Sequence, residues 1–120
     1  MKPGRKMSGG KYRRSNQAKL HSRKGKARVV KLGERKVKVV RGRGGGEKIV
    51  SLTGNTANIM VKGKAQKTAI KNVLETPANR FLARQNVLVK GAVVETEVGK
   101  ARITNRPSQE GTIQAVLVEE

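Results

Sequence analysis

The sequence predicts an all-β domain: a small β-barrel of six or seven short strands with one short helix, carrying a disordered basic extension at its N-terminus. Three observations predict it. Apolar residues between positions 36 and 117 recur with period two, as along half-buried strands. Turn-forming residues interrupt those runs at short, even intervals. Residues 1–28 hold eleven Lys or Arg, no acid and six apolar residues, a composition that cannot enclose a core.

The extension comes first, its cations interleaved with Gly4, Gly9, Gly10 and Gly25. Residues 29–48 are transitional, and Lys36, Val37, Lys38 and Val39 alternate polar and apolar as a half-buried strand does. From residue 49 the balance inverts, with ten basic against six acidic residues and thirty apolar positions. Val50 and Leu52 share a face of the run 48–53. Val94, Thr96 and Val98 point one way, with Glu95 and Glu97 opposite. Ala101, Ile103 and Asn105 alternate with Arg102, Thr104 and Arg106, and Ile113, Ala115 and Leu117 line a last face. Gly54-Asn55, Lys62-Gly63, Lys90-Gly91, Gly99 and residues 107–111 read as turns. Gly111 there calls for positive φ or a close backbone contact.

Residues 76–84 read as the helix, with Thr76 as N-cap and Pro77 at the first helical position. Residues 65–74 fit either state, because Ile70, Val73 and Leu74 also have helical spacing. The domain boundaries follow: an extension over residues 1–28 and a barrel over 29–120, near the size at which a chain buries only about 60% of its unfolded surface.

Composition narrows function before any motif is read. The 28 Lys and Arg face 8 Glu and no Asp, for a net charge of +20. So large a charge needs a polyanion as partner. There is no Cys and one His, His21, which removes thiolate and His-cluster metal sites, the Cys-His pair and HExxH, while the lack of Asp removes the Ser-His-Asp triad. The expectation is a protein without catalysis, cofactor, metal or small-molecule substrate. The longest apolar run, residues 115–118, falls far short of the roughly 20 residues of a membrane span, and no signal-peptide core follows Met1. The expected protein is soluble and intracellular, with no membrane partner.

The remaining suggestive features are weak. Glu95 and Glu97 have the spacing of an acid-base or cation-binding pair, but exposed strand carboxylates are commonplace. Arg41-Gly42-Arg43-Gly44-Gly45-Gly46 fits neither GxGxxG nor GxxxxGK[ST] and reads as a hairpin loop whose backbone can approach phosphates. Tyr12 and Phe81 are the only aromatics, and no helix-turn-helix, zinc-finger or RRM pattern is present. Recognition by shape and phosphate, as suits structured A-form RNA, is the reading these residues leave. Fully extended, the N-terminal arm would reach roughly 90 to 100 Å into such a mass.

Lys90-Gly91-Ala92-Val93-Val94-Glu95-Thr96-Glu97, followed by the run from Gly99 through Asn105-Arg106-Pro107 to Gly111, resembles the C-terminal signature of the archaeal and eukaryotic-type small-subunit ribosomal protein eight family. Lys6-Met7-Ser8-Gly9-Gly10-Lys11, Arg43-Gly44-Gly45 and Pro77-Ala78-Asn79-Arg80 stand in the expected order. The resemblance implies a compact β-barrel, a basic extension threaded through small-subunit ribosomal RNA, neighbouring ribosomal proteins as further partners, and no catalysis. The expected RNA contacts are Arg5, Lys6, Lys11, Arg13, Arg14, Arg23, Lys24, Lys26 and Arg28 in the extension, with Arg41, Arg43, Arg80, Arg84, Lys90, Arg102 and Arg106 in the domain. Arg102 and Arg106 are expected on one strand face, with the 107–111 turn holding Arg106 at a rigid corner. Two rival functions are a ribosome-assembly factor with the same barrel and an architectural DNA-binding protein.

Overall fold

In the computed structural model, which describes residues 4–12, 19–22 and 25–118, eight strands divide between a three-stranded sheet and a closed barrel. The sheet comprises β1 (Lys31–Leu32), β2 (Lys36–Arg41) and β3 (Glu47–Gly54) in the order β1-β3-β2. β2 and β3 form an antiparallel hairpin with Val39 opposite Ile49, and β1 runs parallel to β3. Asn55 alone separates β3 from β4 (Thr56–Val61), so the chain passes from sheet into barrel almost without interruption. β5 (Lys64–Glu75), helix α1 (Arg80–Arg84), β6 (Val93–Thr96), β7 (Lys100–Ile103) and β8 (Gln114–Leu117) follow. Barrel neighbours are antiparallel except where β4 closes on β8 in parallel, with Ile59 beside Ala115. The all-β barrel with one short helix is as expected, and the strand beyond the expected number is the two-residue β1.

Closure gives every barrel strand an inside, and the sequence supplies it with small and branched residues in alternation. Ala57 and Ile59 on β4, Ala101 and Ile103 on β7, and Ile113 and Ala115 at β8 are all buried. Val30, Ile70, Val73, Leu88, Ala92 and Val94 complete the cluster. Such pairing of small with large side chains fills a barrel too narrow for two bulky residues at one level. β4 and β5 are joined by Lys62-Gly63, with φ of 48° and 77°. Both residues in the left-handed region make the tight hairpin turn whose twist matches its strands, and glycine takes the second place at no steric cost.

One open reading is decided here and two expectations are corrected. Residues 65–74 are strand, and their helix-like spacing has a physical cause. Ile70 pairs with Thr96 and Asn72 with Glu95, so one extra β5 residue intervenes, and a second shift separates Val73 from Glu75. The bulge turns an interval of two into three, which brings Ile70 and Val73 both inward and leaves Leu74 exposed. Val98 does not continue the face of Val94 and Thr96, because β6 ends at Thr96 and Val98 is exposed in the turn.

The helix starts later than expected. The Thr76 carbonyl accepts the Asn79 N–H at 3.1 Å, closing a β-turn that puts Pro77 at its second position, where a fixed φ is favoured. Asn79 is the N-cap, its Oδ1 accepting from the Phe81 N–H at 3.0 Å. Thr76 is displaced from this role by the turn, which sets it three residues before the cap and leaves its Oγ1 without a partner among the described residues.

One loop fastens the sheet to the barrel. Pro107 and Glu110 carbonyls both accept from the Ser51 N–H on β3, at 3.1 and 3.0 Å, and Ser51 Oγ donates to Glu110 O at 3.0 Å. Ser51 is thus buried with its polar atoms satisfied. Asn105 braces the loop from within: its Nδ2 donates to Glu110 Oε2 and to Thr112 O, each at 2.7 Å, and its Oδ1 accepts from the Gln114 N–H at 3.0 Å. Gly111 departs from expectation, having neither positive φ nor a close backbone contact; a side chain is what crowds it, since a Cβ there would lie 2.7 Å from Ile49 Cγ2.

Candidate nucleic-acid interface

The folded part gathers some of the expected cations and separates others. Arg28 enters from the extension and its Nη1 donates to Ser108 O at 2.7 Å. Lys90 stands at the turn before β6, and Arg106 follows β7 at the corner of the fastening loop. These three, distant in sequence, line one hollow of about 260 Å³ with Leu88, Val89, Pro107, Ser108 and Gln109. Pro107 is fully buried, so the floor is rigid. Arg28 uses one guanidinium N–H for Ser108 and keeps the rest of its five donors for another acceptor. Glu110, the carboxylate of the same loop, is engaged by Asn105. Neither Arg106 nor Arg102 has a carboxylate partner among the described residues. Three cations around one rigid hollow supply the charge and the N–H donors that an anion with several oxygens requires.

Arg102 is not on the same face as Arg106, contrary to expectation. β7 ends at Ile103, and Arg102 projects from it into a different hollow of about 340 Å³ with Thr104, Val116, Leu117 and Val118. Arg80 and Arg84 lie on α1 and line a third hollow with Phe81. Arg41 and Arg43 are at the hairpin tip, where Arg41 is in register with Glu47 and Gly42 N–H donates to Gly46 O at 2.7 Å, closing the loop. Every one of these domain cations is exposed.

In the extension, residues 4–12 turn back on themselves. Arg5 and Lys11 form an antiparallel bridge, Arg5 Nη1 donates to Gly9 O at 3.1 Å, and Lys6 Nζ stands 5.8 Å from the centre of the Tyr12 ring. Lys26 is exposed on the approach to the barrel. Arg13, Arg14, Arg23 and Lys24 lie outside the described residues.

Two cations absent from the expected set also flank a cleft. Arg35 and Lys67 line a groove of about 290 Å³ between sheet and barrel, with Ser51, Thr53, Thr56, Asn58 and Thr112 among its walls. Lys67 reaches it because it pairs in register with Asn58 across β4 and β5. That pairing has no local signature. Glu95 and Glu97 do not form a pair on one strand, since Glu97 lies in the turn beyond β6. No helix among the described residues is long and apolar enough to cross a membrane.

A family model described as Ribosomal protein S8e matches residues 2–118. Relatives named small ribosomal subunit protein eS8 align along nearly the whole chain. That of Haloarcula marismortui is 37% identical over 115 residues, covering 96% of this chain and 94% of the relative. That of Pyrobaculum aerophilum is 42% identical over 119 residues, with 96% and 91% covered. The Methanocella arvoryzae protein is 42% identical over 120 residues, with 98% and 95% covered.

Proposed function

Because the chain belongs to the ribosomal protein S8e family, we propose that it is a structural constituent of the small ribosomal subunit that binds and stabilises folded ribosomal RNA through phosphate contacts. The observation that carries this reading is the hollow shared by Arg28, Lys90 and Arg106, built on a braced loop. The other cations stand in separate places: Arg102 on β7, Arg80 and Arg84 on α1, Arg41 and Arg43 at the hairpin tip. A ligand that met them together would have to surround the protein, as a folded RNA does and a straight duplex does not. Phosphate contacts position such a ligand without reading its sequence. The arm of residues 1–28 adds eleven cations and supplies reach. Neighbouring ribosomal proteins and a cytoplasmic setting follow from the same reading, and no reaction is part of it.

Sedimentation tests it. A tagged full-length chain should co-sediment with mature small subunits and stay through a moderate salt wash. Recovery only with immature particles would favour an assembly factor, and equal affinity for duplex DNA and structured RNA an architectural protein. Affinity for small-subunit RNA should also fall steeply with salt, with a slope of log K against log salt near −9 if about ten phosphates are neutralised. An affinity nearly flat between 50 and 200 mM salt would refute phosphate recognition.

A further inference from the structure

Both aromatic residues that the sequence contains lie outside the core, and each has a cation beside it. Phe81 is 61% exposed with the Arg80 guanidinium carbon 5.5 Å from its ring centre, and Tyr12 is 54% exposed with Lys6 Nζ at 5.8 Å. The core is aliphatic throughout, so folding does not explain Phe81. Its presentation, however, is well fixed. Asn79 caps α1 through the Phe81 N–H, and the chain leaving the helix is tied down by Val87 N–H donating to Leu82 O at 3.1 Å. Val87 is itself buried and bridged to Lys31. Leu82 and Ala83 turn inward to half-buried positions, which leaves Arg80, Phe81 and Arg84 outward around a hollow of about 380 Å³.

We infer that this face of α1 is a stacking platform for an unpaired RNA base, with Phe81 beneath the base and Arg80 and Arg84 on its flanking phosphates. This rests on the ribosomal RNA reading and adds to it a contact that duplex RNA cannot make. The chemistry selects the occupant. A ring with a guanidinium over one face offers its other face to a planar partner, and bases stack on aromatics with little regard to their identity. Arg84, three residues on, is a neighbour on the same helical face. An apolar pocket of a protein partner would accept the ring but bury two unpaired guanidiniums, at heavy desolvation cost. A nucleotide brings the base and the counter-charge together.

The test compares full-length protein with Phe81→Ala and Phe81→Trp on two probes, the single strand rA10 and a ten-base-pair RNA duplex. Phe81→Ala should weaken rA10 binding roughly 5- to 160-fold, the effect of removing one stacked base. Its duplex affinity should stay within twofold of the parent. Phe81→Trp should restore rA10 binding. Because the chain has no other Trp, its emission should be quenched by rA10 and not by the duplex. Replacing Arg80 and Arg84 together by Ala should reduce the single-strand salt slope by about 1.4, at roughly 0.7 per phosphate. The platform is refuted if Phe81→Ala keeps rA10 affinity within twofold, if it weakens both probes equally, or if the Trp emission ignores rA10. Loss of subunit incorporation with rA10 affinity unchanged would assign Phe81 to a protein neighbour instead. If the parent binds neither probe, the RNA reading falls with the platform, an outcome distinct from all of these.

Discussion

β3 and β4 run nearly end to end, yet they dispose of their side chains differently. Along β4, buried Ala57 and Ile59 alternate with exposed Asn58 and Met60. Along β3, Glu47, Lys48 and Ile49 are all exposed, and burial begins only at Val50 and Ser51, where the fastening loop crosses. The difference is closure. A barrel strand has an inside, whereas the outer half of the β2–β3 hairpin has solvent on both faces and leaves Val39 and Ile49 about half exposed. Charge follows the same division: residues 1–48 carry 18 cations against Glu34 and Glu47, and residues 49–120 carry ten against six acids. Burial is therefore concentrated in the barrel and positive charge in what precedes it, and the expectation is that stability and polyanion attraction divide the same way.

The largest test of that division is a pair of substitutions. Ile59 is fully buried in the barrel, and Ile59→Ala should cost about 2 to 5 kcal/mol in urea denaturation, from lost transfer energy plus the cavity left behind. Val39, 53% exposed on the hairpin, should tolerate Val39→Ser within about 0.5 kcal/mol. Similar losses at the two sites would mean that the hairpin is part of one cooperative core and the comparison is wrong.

Truncation sharpens the boundary. Deleting residues 1–28 leaves a chain of net charge +20 − 11 = +9, and a folded core with dispersed amide signals is the expected outcome. The Arg28–Ser108 hydrogen bond makes one residue matter: a chain beginning at Arg28 should be more stable than one beginning at Val29 by about 1 kcal/mol. Deletion through Val30 should do far more damage, since Val30 is buried and its carbonyl accepts from Leu88 N–H at 2.8 Å. Equal stability of all three chains would show that the barrel needs nothing before β1.

What was legible in the sequence follows from the same physics. β6, β7 and β8 declare themselves because one face of each is buried, and burial on one face writes period two into Val94, Thr96, Ala101, Ile103, Ile113 and Ala115. β5 hides because its bulges break that period at Ile70 and Val73. The helix start is hidden because Thr-Pro suits a β-turn as well as a cap, and only the Asn79 side chain decides between them. Single cations were nameable from charge alone. Their convergence was not: Arg28, Lys90 and Arg106 meet through a fold, and Arg35 and Lys67 through strand register, neither of which leaves a local pattern.

The seam between the two regions gives a smaller effect. A Cβ at Gly111 would lie 2.7 Å from Ile49 Cγ2 and 3.3 Å from Ile49 Cβ. The methyl can swing because Ile49 is half exposed, but its Cβ moves only with β3. Gly111→Val should therefore cost about 1 to 2 kcal/mol by overpacking. Adding Ile49→Ala should recover most of it, since contacting sites couple. An unchanged melting midpoint for Gly111→Val would show that the loop rides loosely on the hairpin and does not fasten it.

The smallest effect has the most telling sign. Thr76 is 1% exposed, and its Oγ1 has no hydrogen-bond partner among the described residues. Leaving a buried hydroxyl unsatisfied costs about 1 to 3 kcal/mol, and Val has nearly the same shape and the same stiffness at χ1. Thr76→Val should thus leave the melting midpoint unchanged or raise it, by up to about 1 kcal/mol of stability. Were Thr76 the cap of α1, the same change would remove a helix-capping oxygen and lower stability by about 1 kcal/mol. Asn79→Ala should show that loss instead, because Asn79 Oδ1 holds the Phe81 N–H. The two substitutions lie three residues apart and should move stability in opposite directions, one by relieving the end of the barrel and the other by loosening the helix that the barrel presents to solvent. A loss at Thr76 with none at Asn79 would move the start of α1 back to the turn and free Phe81 from the position argued for it.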